Sequence, residues 1–333
     1  MKNANWVNRG VLGIAILVAI SMAALANPDV MDKSFDVKEN GWLKVESDIG
    51  SIEVEARGGD KVEVKVVREI DTRREEKIKE FLDNLVVEMV QRDNDVIISA
   101  EFQNNWHRRN WDYNDVRVEF IITVPKKFNV DLSTAGGSIS VGDLEGKVEV
   151  ETAGGSLLFG NINGTVRGRT AGGSIKLESC VGNADVRTSG GSIKIGDVDG
   201  DVRALTSGGS IKVDKAKGDV LAETSGGSIN IEEVMGNLEA STSGGSVKAS
   251  ISKQPEGDCS LETSGGSVTV YLAEDIAVDV NAKSSWGRIS SDFDIAGWDE
   301  DEDESYARGT INGGGPKLYL RTSAGKVRIR KMY

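Results

Sequence analysis

The densest group of chemically versatile side chains is Trp106-His107-Arg108-Arg109-Asn110-Trp111-Asp112-Tyr113. Aromatic rings present flat apolar faces with polar edges, and guanidinium groups add charge. That combination suits a sugar or an anionic group. Trp106, His107, Arg108, Arg109, Trp111 and Tyr113 are therefore the candidate ligand-binding residues. The competing role for the two indoles is a packed plug over one end of the fold. Catalysis has little to work with. His107 is the sole histidine of 333 residues. No nucleophile elbow, Walker loop or metal-ligand cluster occurs. The expectation is a non-catalytic protein with no cofactor, no metal and no catalytic residue. A carbohydrate-active β-helix enzyme is the less favoured reading, because minimal coils leave no room for the long loops that build a cleft.

Charged residues also recur in columns. Lys176, Lys194, Lys212 and Lys248 share one register and could bind an anionic polysaccharide. Glu178, Asp214 and Glu232 stand two residues away on the same face, so diagonal pairing should largely neutralise the lysines. The run from Asp299 to Glu304 lacks the glycine and terminal glutamate of an EF-hand loop and reads as a solvated loop.

The element that positions these columns is a repeat. Thr-(Ala/Ser)-Gly-Gly-Ser occurs eight times, its second glycine falling at Gly137, Gly155, Gly173, Gly191, Gly209, Gly227, Gly245 and Gly266. Successive members stand at i and i+18 six times running, and the last step is i+21. A second glycine series, Gly146 to Gly257, lies between. Apolar residues alternate with period two in each half-repeat, as in half-buried strands. Stacked coils of two short strands account for this pattern: a parallel two-sheet β-solenoid, all-β, with 18-residue coils. Unlike a calcium-binding roll, the Gly-Gly corner carries no aspartate ladder, so folding without calcium is expected. The segments 47–52, 284–289 and 322–327 read as degenerate coils.

Residues 1–26 have a different character. Lys2 and Arg9 precede an apolar run from Val11 to Ile20 and the small-residue site Ala24-Leu25-Ala26. This is the pattern of a secretory signal peptide cleaved after Ala26. An uncleaved anchor is the alternative, although the run is short for a span. Residues 27–130 read as a β-rich cap, with strands at 62–67, 96–102 and 116–124. Its single helix is opened by a capping box at Thr72 to Glu75, and Ile78, Phe81, Leu82 and Leu85 form one face. Residues 131–333 are the solenoid with degenerate C-terminal coils. A net charge of −13 speaks against nucleic acid as partner. Cys180 and Cys259 lie several coils apart in this register, too far for a disulfide.

The stretch Glu-Phe-Ile-Ile-Thr-Val-Pro-Lys-Lys-Phe-Asn-Val-Asp-Leu-Ser-Thr-Ala-Gly-Gly-Ser-Ile, residues 119–139, with the repeats behind it, resembles the bacterial putative-adhesin family, a β-solenoid domain of unknown function. The resemblance covers most of the mature chain and implies the architecture without supplying catalytic residues. The composite expectation is an exported, periplasmic or extracellular binding or structural protein of the cell envelope. Its partner would be an envelope polysaccharide or a protein, with no stable membrane insertion after signal cleavage. An accessory protein-interaction module in envelope-stress sensing is the alternative.

Overall fold

A strand that alternates apolar and polar residues has one face to bury, and an 18-residue repeat offers that face a copy of itself. The computed structural model describes residues 28–72, 74–103, 116–300 and 305–332. Among them, two fifteen-stranded sheets enclose a single apolar core. In the repeats, each return strand pairs in parallel with the next at an offset of 18, as Val166↔Ala184 and Ala184↔Val202. The outgoing strands do the same, as Ile175↔Ile193 and Ile193↔Ile211. The outgoing columns headed by Ile139 and Val141 are buried from first coil to last. On the return strands, small residues such as Ala204, Ala222 and Ala240 stack in one inward column, which lets the two sheets approach closely.

The glycine corners owe their composition to contact rather than to backbone conformation. A Cβ built on Gly209 would lie 2.2 Å from the carbonyl oxygen of Gly191, and equivalent corners repeat this approach. Of the eight repeat glycines at this position, only Gly137 has a positive φ. The buried threonine ending each return strand locks the approach. Thr206 donates its hydroxyl to Gly191 O at 2.8 Å and accepts the Gly209 N–H at 3.4 Å. The same pair of bonds recurs from Thr152 to Thr263. On the solvent side, each corner serine N–H donates to the serine hydroxyl one coil back, as Ser210 to Ser192 at 3.2 Å.

The ends of the stack do not follow chain order. The coil made of Trp42–Ser47 and Ser51–Arg57 is not terminal. It lies between the coil Asp95–Phe102/Val116–Pro125 and the coil Asn129–Thr134/Ile139–Val141. At the other end, Lys317–Thr322 and Val327–Lys331 slot between Cys259–Thr263/Val268–Leu272 and Val278–Ser284/Ile289–Ser291. The threonine ladder follows this spatial order: Thr322 donates to Gly266 O at 2.6 Å, and Ser284 to Gly325 O at 2.7 Å. Antiparallel strands then close three of the four sheet edges. Lys61–Ile70 and Asp29–Asp36 cover one sheet at the N-terminal side, and Leu85–Arg92 covers the other. Tyr306–Ile311 and Ala296–Glu300 close the far side. Such antiparallel closure ends the parallel template at three edges, and the fourth edge is the short parallel strand Ile289–Ser291.

Both sheets run on without a break from the strands before residue 130 to those after it, and the cap and the repeats share one core. The helix spans Glu75–Asn84. Two details of its expected boundaries are corrected. Its N-cap is Arg74 with no side-chain cap bond, and Thr72 instead accepts the Arg74 N–H at 3.4 Å. Leu85 belongs to the strand Leu85–Arg92 that follows, because its antiparallel partner Phe102 is already in place. Phe81 packs edge-on against Phe102 at 5.7 Å. Arg68 ties the helix end to the first strand, donating to Leu85 O at 3.0 Å and to Asp29 at 2.6 and 2.8 Å. No helix among the described residues is long and apolar enough to cross a membrane. The expected signal segment and residues 301–304 of the acidic run lie outside the described residues.

Two outcomes follow from the corner. Thr206→Val keeps the shape but strands the part-buried Gly191 carbonyl and Gly209 N–H, and should cost about 1–3 kcal/mol in chemical denaturation. Thr206→Ser should recover most of that loss, and Gly209→Ala should cost more than Thr206→Val. Equal stabilities for all three would show that the ladder does not hold the coils. The cysteines test the register. Both are free and buried, and burial pushes both thiols above their ordinary pKa. They should react slowly with a thiol reagent in native protein and rapidly in denaturant. A Cys180–Cys259 bridge in mass spectra of unreduced protein would contradict the stacking.

Candidate functional site

Outward positions on the return strands recur once per coil, so whatever surface one coil presents, the stack extends it. Where the return strands run into the Gly-Gly corners, this extension produces a continuous groove of about 1370 Å³. Eleven stacked return strands line it, from Glu46 at one end to Lys283 and Ser285 at the other. Ten strand spacings make it roughly 48 Å long. The residue after each ladder threonine gives the groove a floor of small side chains: Ala153, Ala171, Ser189, Ser207 and Ser225 in successive coils. The residue before each threonine gives the wall: Glu151, Arg169, Arg187, Leu205 and Glu223. The floor positions are exposed and hold alanine or serine. The wall is free to vary, and its composition gives the groove its chemistry.

Basic residues come together here, Arg169 and Arg187 on the groove wall and Arg167 and Arg203 beside it. Arg167 and Arg169 lie on the strand Val166–Thr170, Asp185 and Arg187 on Ala184–Thr188, and Arg203 on Val202–Thr206, all facing outward. Arg187 grips Asp185 through two hydrogen bonds of 3.0 and 3.1 Å, and Arg167 reaches the same carboxylate at 4.0 Å. Sequence reasoning missed this group because it is a local block and not a periodic column. Only the strand register places the four arginines side by side.

In the lysine column of the opposite sheet, two of the four lysines are ion-paired. Lys176 pairs with Glu178, and Lys212 lies 2.9 Å from Asp214 and 3.0 Å from Glu232. Asp214 and then Glu232 raise the pKa of Lys212 above the usual lysine range. Lys248 sits over the Tyr271 ring at 5.3 Å. Beside this column, Lys215 pairs with Glu233 at 2.8 Å, and the pairing lowers the Glu233 pKa.

The second corner carries an asparagine and aspartate column, also missed at the sequence level. Asn183, Asp201, Asp219 and Asn237 each accept the backbone N–H one coil on, at 2.7 to 3.0 Å. Their side-chain oxygens thus serve the stack. Among the described residues, no cluster of three or more His, Cys, Asp or Glu is placed to hold a metal ion.

Trp106, His107, Arg108, Arg109, Trp111 and Tyr113 lie outside the described residues. The strands that precede and follow them, Asp95–Phe102 and Val116–Pro125, stand in opposite sheets. Phe102 and Val116 border a second cavity of about 680 Å³, along with Asp48 and Gly136.

No curated protein matches this chain. Solved structures of low similarity do. A "putative cell adhesion protein" from Clostridium sporogenes is 13% identical, covering 92% of this chain and 100% of its own, at a TM-score of 0.24. A "putative adhesin" from Bacteroides fragilis is 12% identical, covering 91% and 97%, at 0.33. A "putative lipid binding protein" from Parabacteroides distasonis is 15% identical, covering 92% and 97%, at 0.34. At these scores the likenesses carry no argument about ligand. The family model described as Toastrack DUF4097 is a stronger match, aligning with residues 42–330. That span takes in both out-of-order coils and every repeat, and the protein belongs to the Toastrack DUF4097 family.

Proposed function

We propose that this protein is an exported, non-catalytic binding protein of the bacterial cell envelope whose groove holds an extended polymer. The observation that carries this reading is the unbroken groove over eleven strands. A small-molecule site is a closed concavity that surrounds its ligand. This one is open and repeats the same floor every coil, so a ligand gains contact by being long. Its floor is rich in hydroxyl groups, and its walls are charged and polar, which matches a hydrated polysaccharide. The signal-peptide pattern of residues 1–26 supports a place outside the cytoplasm, in the periplasm or beyond.

The length dependence is the test. Affinity for envelope polysaccharides, measured by calorimetry, should rise steeply with chain length and be weak for mono- and disaccharides. Ser207→Trp with Ser225→Trp, both at exposed floor positions, should abolish binding while leaving the melting temperature unchanged. Equal affinity for short and long chains, or full binding with the floor blocked, would refute the groove as the site.

A further inference from the structure

The wall of the groove breaks a rule of sheet design. Like charges directly opposite on neighbouring strands destabilise the pair. Here Arg169 and Arg187 are register partners on adjacent parallel strands, and both line the groove. One outward position along, Arg167, Asp185 and Arg203 occupy three successive strands of the same face. Four guanidinium groups thus stand beside three carboxylates, Asp185 and the register partners Glu149 and Glu151, on a chain whose net charge is −13. Asp185 is already engaged by Arg187 and Arg167. Arg169 and Arg203 are exposed and make no ion pair or side-chain hydrogen bond with the described residues. The carboxylates of the preceding strand, Glu149 and Glu151, bound the block on one side, and Glu149 is taken by Lys147 at 2.7 Å. On the other side stand the neutral Leu205 and Leu221.

We propose that Arg169 and Arg187 in the groove, with Arg167 and Arg203 beside it on the same face, form an anion-recognition subsite, and that its occupant is an acidic linear polysaccharide. The proposal rests on the groove reading above and names the ligand class. Arginine presents a planar fork of N–H donors matched to a carboxylate or sulfate, so an unpaired pair of such forks is a site for anionic sugar residues. Arg167 and Arg203 lie two strand spacings apart, about 9.6 Å. That separation accommodates carboxylates borne on successive units of an extended glycan. The serine floor offers hydroxyl partners to the sugar. Two rival polyanions fit less well. A nucleic acid strand carries a phosphate roughly every 3.4 Å, much closer than the spacing of about 9.6 Å between Arg167 and Arg203. Described groove residues include no aromatic ring on which bases could stack. An anionic lipid surface is flat, whereas Arg169 and Arg187 line a groove.

Binding of the mature protein would be measured to polygalacturonate, alginate, hyaluronate and heparin. Methyl-esterified polygalacturonate, which keeps the backbone and removes the charge, and dextran serve as neutral counterparts. The expected result is binding to at least one acidic polymer, at least tenfold weaker to its neutral counterpart and weakened by added salt. Arg169→Gln with Arg203→Gln should lower that affinity at least tenfold with an unchanged melting temperature. Lys176→Gln with Lys194→Gln, on the other sheet, should leave it unchanged. Equal binding of neutral and acidic polymers, indifferent to the arginine changes, overturns the subsite and leaves the groove reading standing. Binding of no polymer at all overturns both. Arginine-dependent binding to anionic phospholipid vesicles or single-stranded DNA, without binding to the acidic glycans, overturns the choice of polysaccharide.

Discussion

Everything in this protein depends on how closely one coil can approach the next at a single corner. There the backbone of one glycine lies against the carbonyl of its counterpart one coil back, at a distance that admits no side chain. A threonine hydroxyl bridges the same two glycines, donating to one coil and accepting from the other. Once this contact is made, the rise from coil to coil is fixed at the strand spacing of about 4.8 Å. Inward residues then stack on their equivalents, and the core becomes a set of columns. The two sheets, the serine rail outside the corner and the asparagine-aspartate column at the other corner all follow that pitch. So does the groove, since a surface that repeats without interruption is a consequence of coils that superpose.

The out-of-order coils extend the same contact to the chain's two ends. A solenoid wound in simple sequence order would leave its first and last coils with one neighbour each. Here the first coil of the chain and the last both lie inside the stack, and antiparallel strands occupy three of the four outer positions. Thr134 donates to Gly50 O, and Thr322 to Gly266 O, so the ladder runs through both insertions. The stack is thereby held from within, and the groove wall reaches Glu46 and Lys283 with the same strand spacing as at its centre.

Much of this was legible in the sequence, for a physical reason. A strict 18-residue period forces equivalent residues into equivalent positions, and the buried columns of the structure are those read from the repeat. The order of the terminal coils was not legible. The segments 284–289 and 322–327 carry recognisable corners, but nothing local to them states which coil each will lie on. That is decided when the hairpin of Ala296–Glu300 and Tyr306–Ile311 turns the chain back. The reason for the corner glycines was also hidden, since a glycine needed for close approach and one needed for positive φ look the same. At the site, periodicity favoured the lysine column and concealed the arginines. Four residues on three strands form a block without a period, and only register brings them together. The aromatic segment that stood out in the sequence, Trp106 to Tyr113, lies outside the described residues.

The central claim is that corner contacts arrange the coils in spatial order, irrespective of their order along the chain. Amide hydrogen exchange across residues 317–331 tests it most directly. In a stack wound in sequence order this segment would be a terminal coil and would fray. In the structure its amides lie between two other coils, so it should exchange as slowly as the central repeats and far more slowly than Ala296–Glu300 at the sheet edge. Rapid exchange of 317–331, at the rate of the edge strand or faster, would contradict the account.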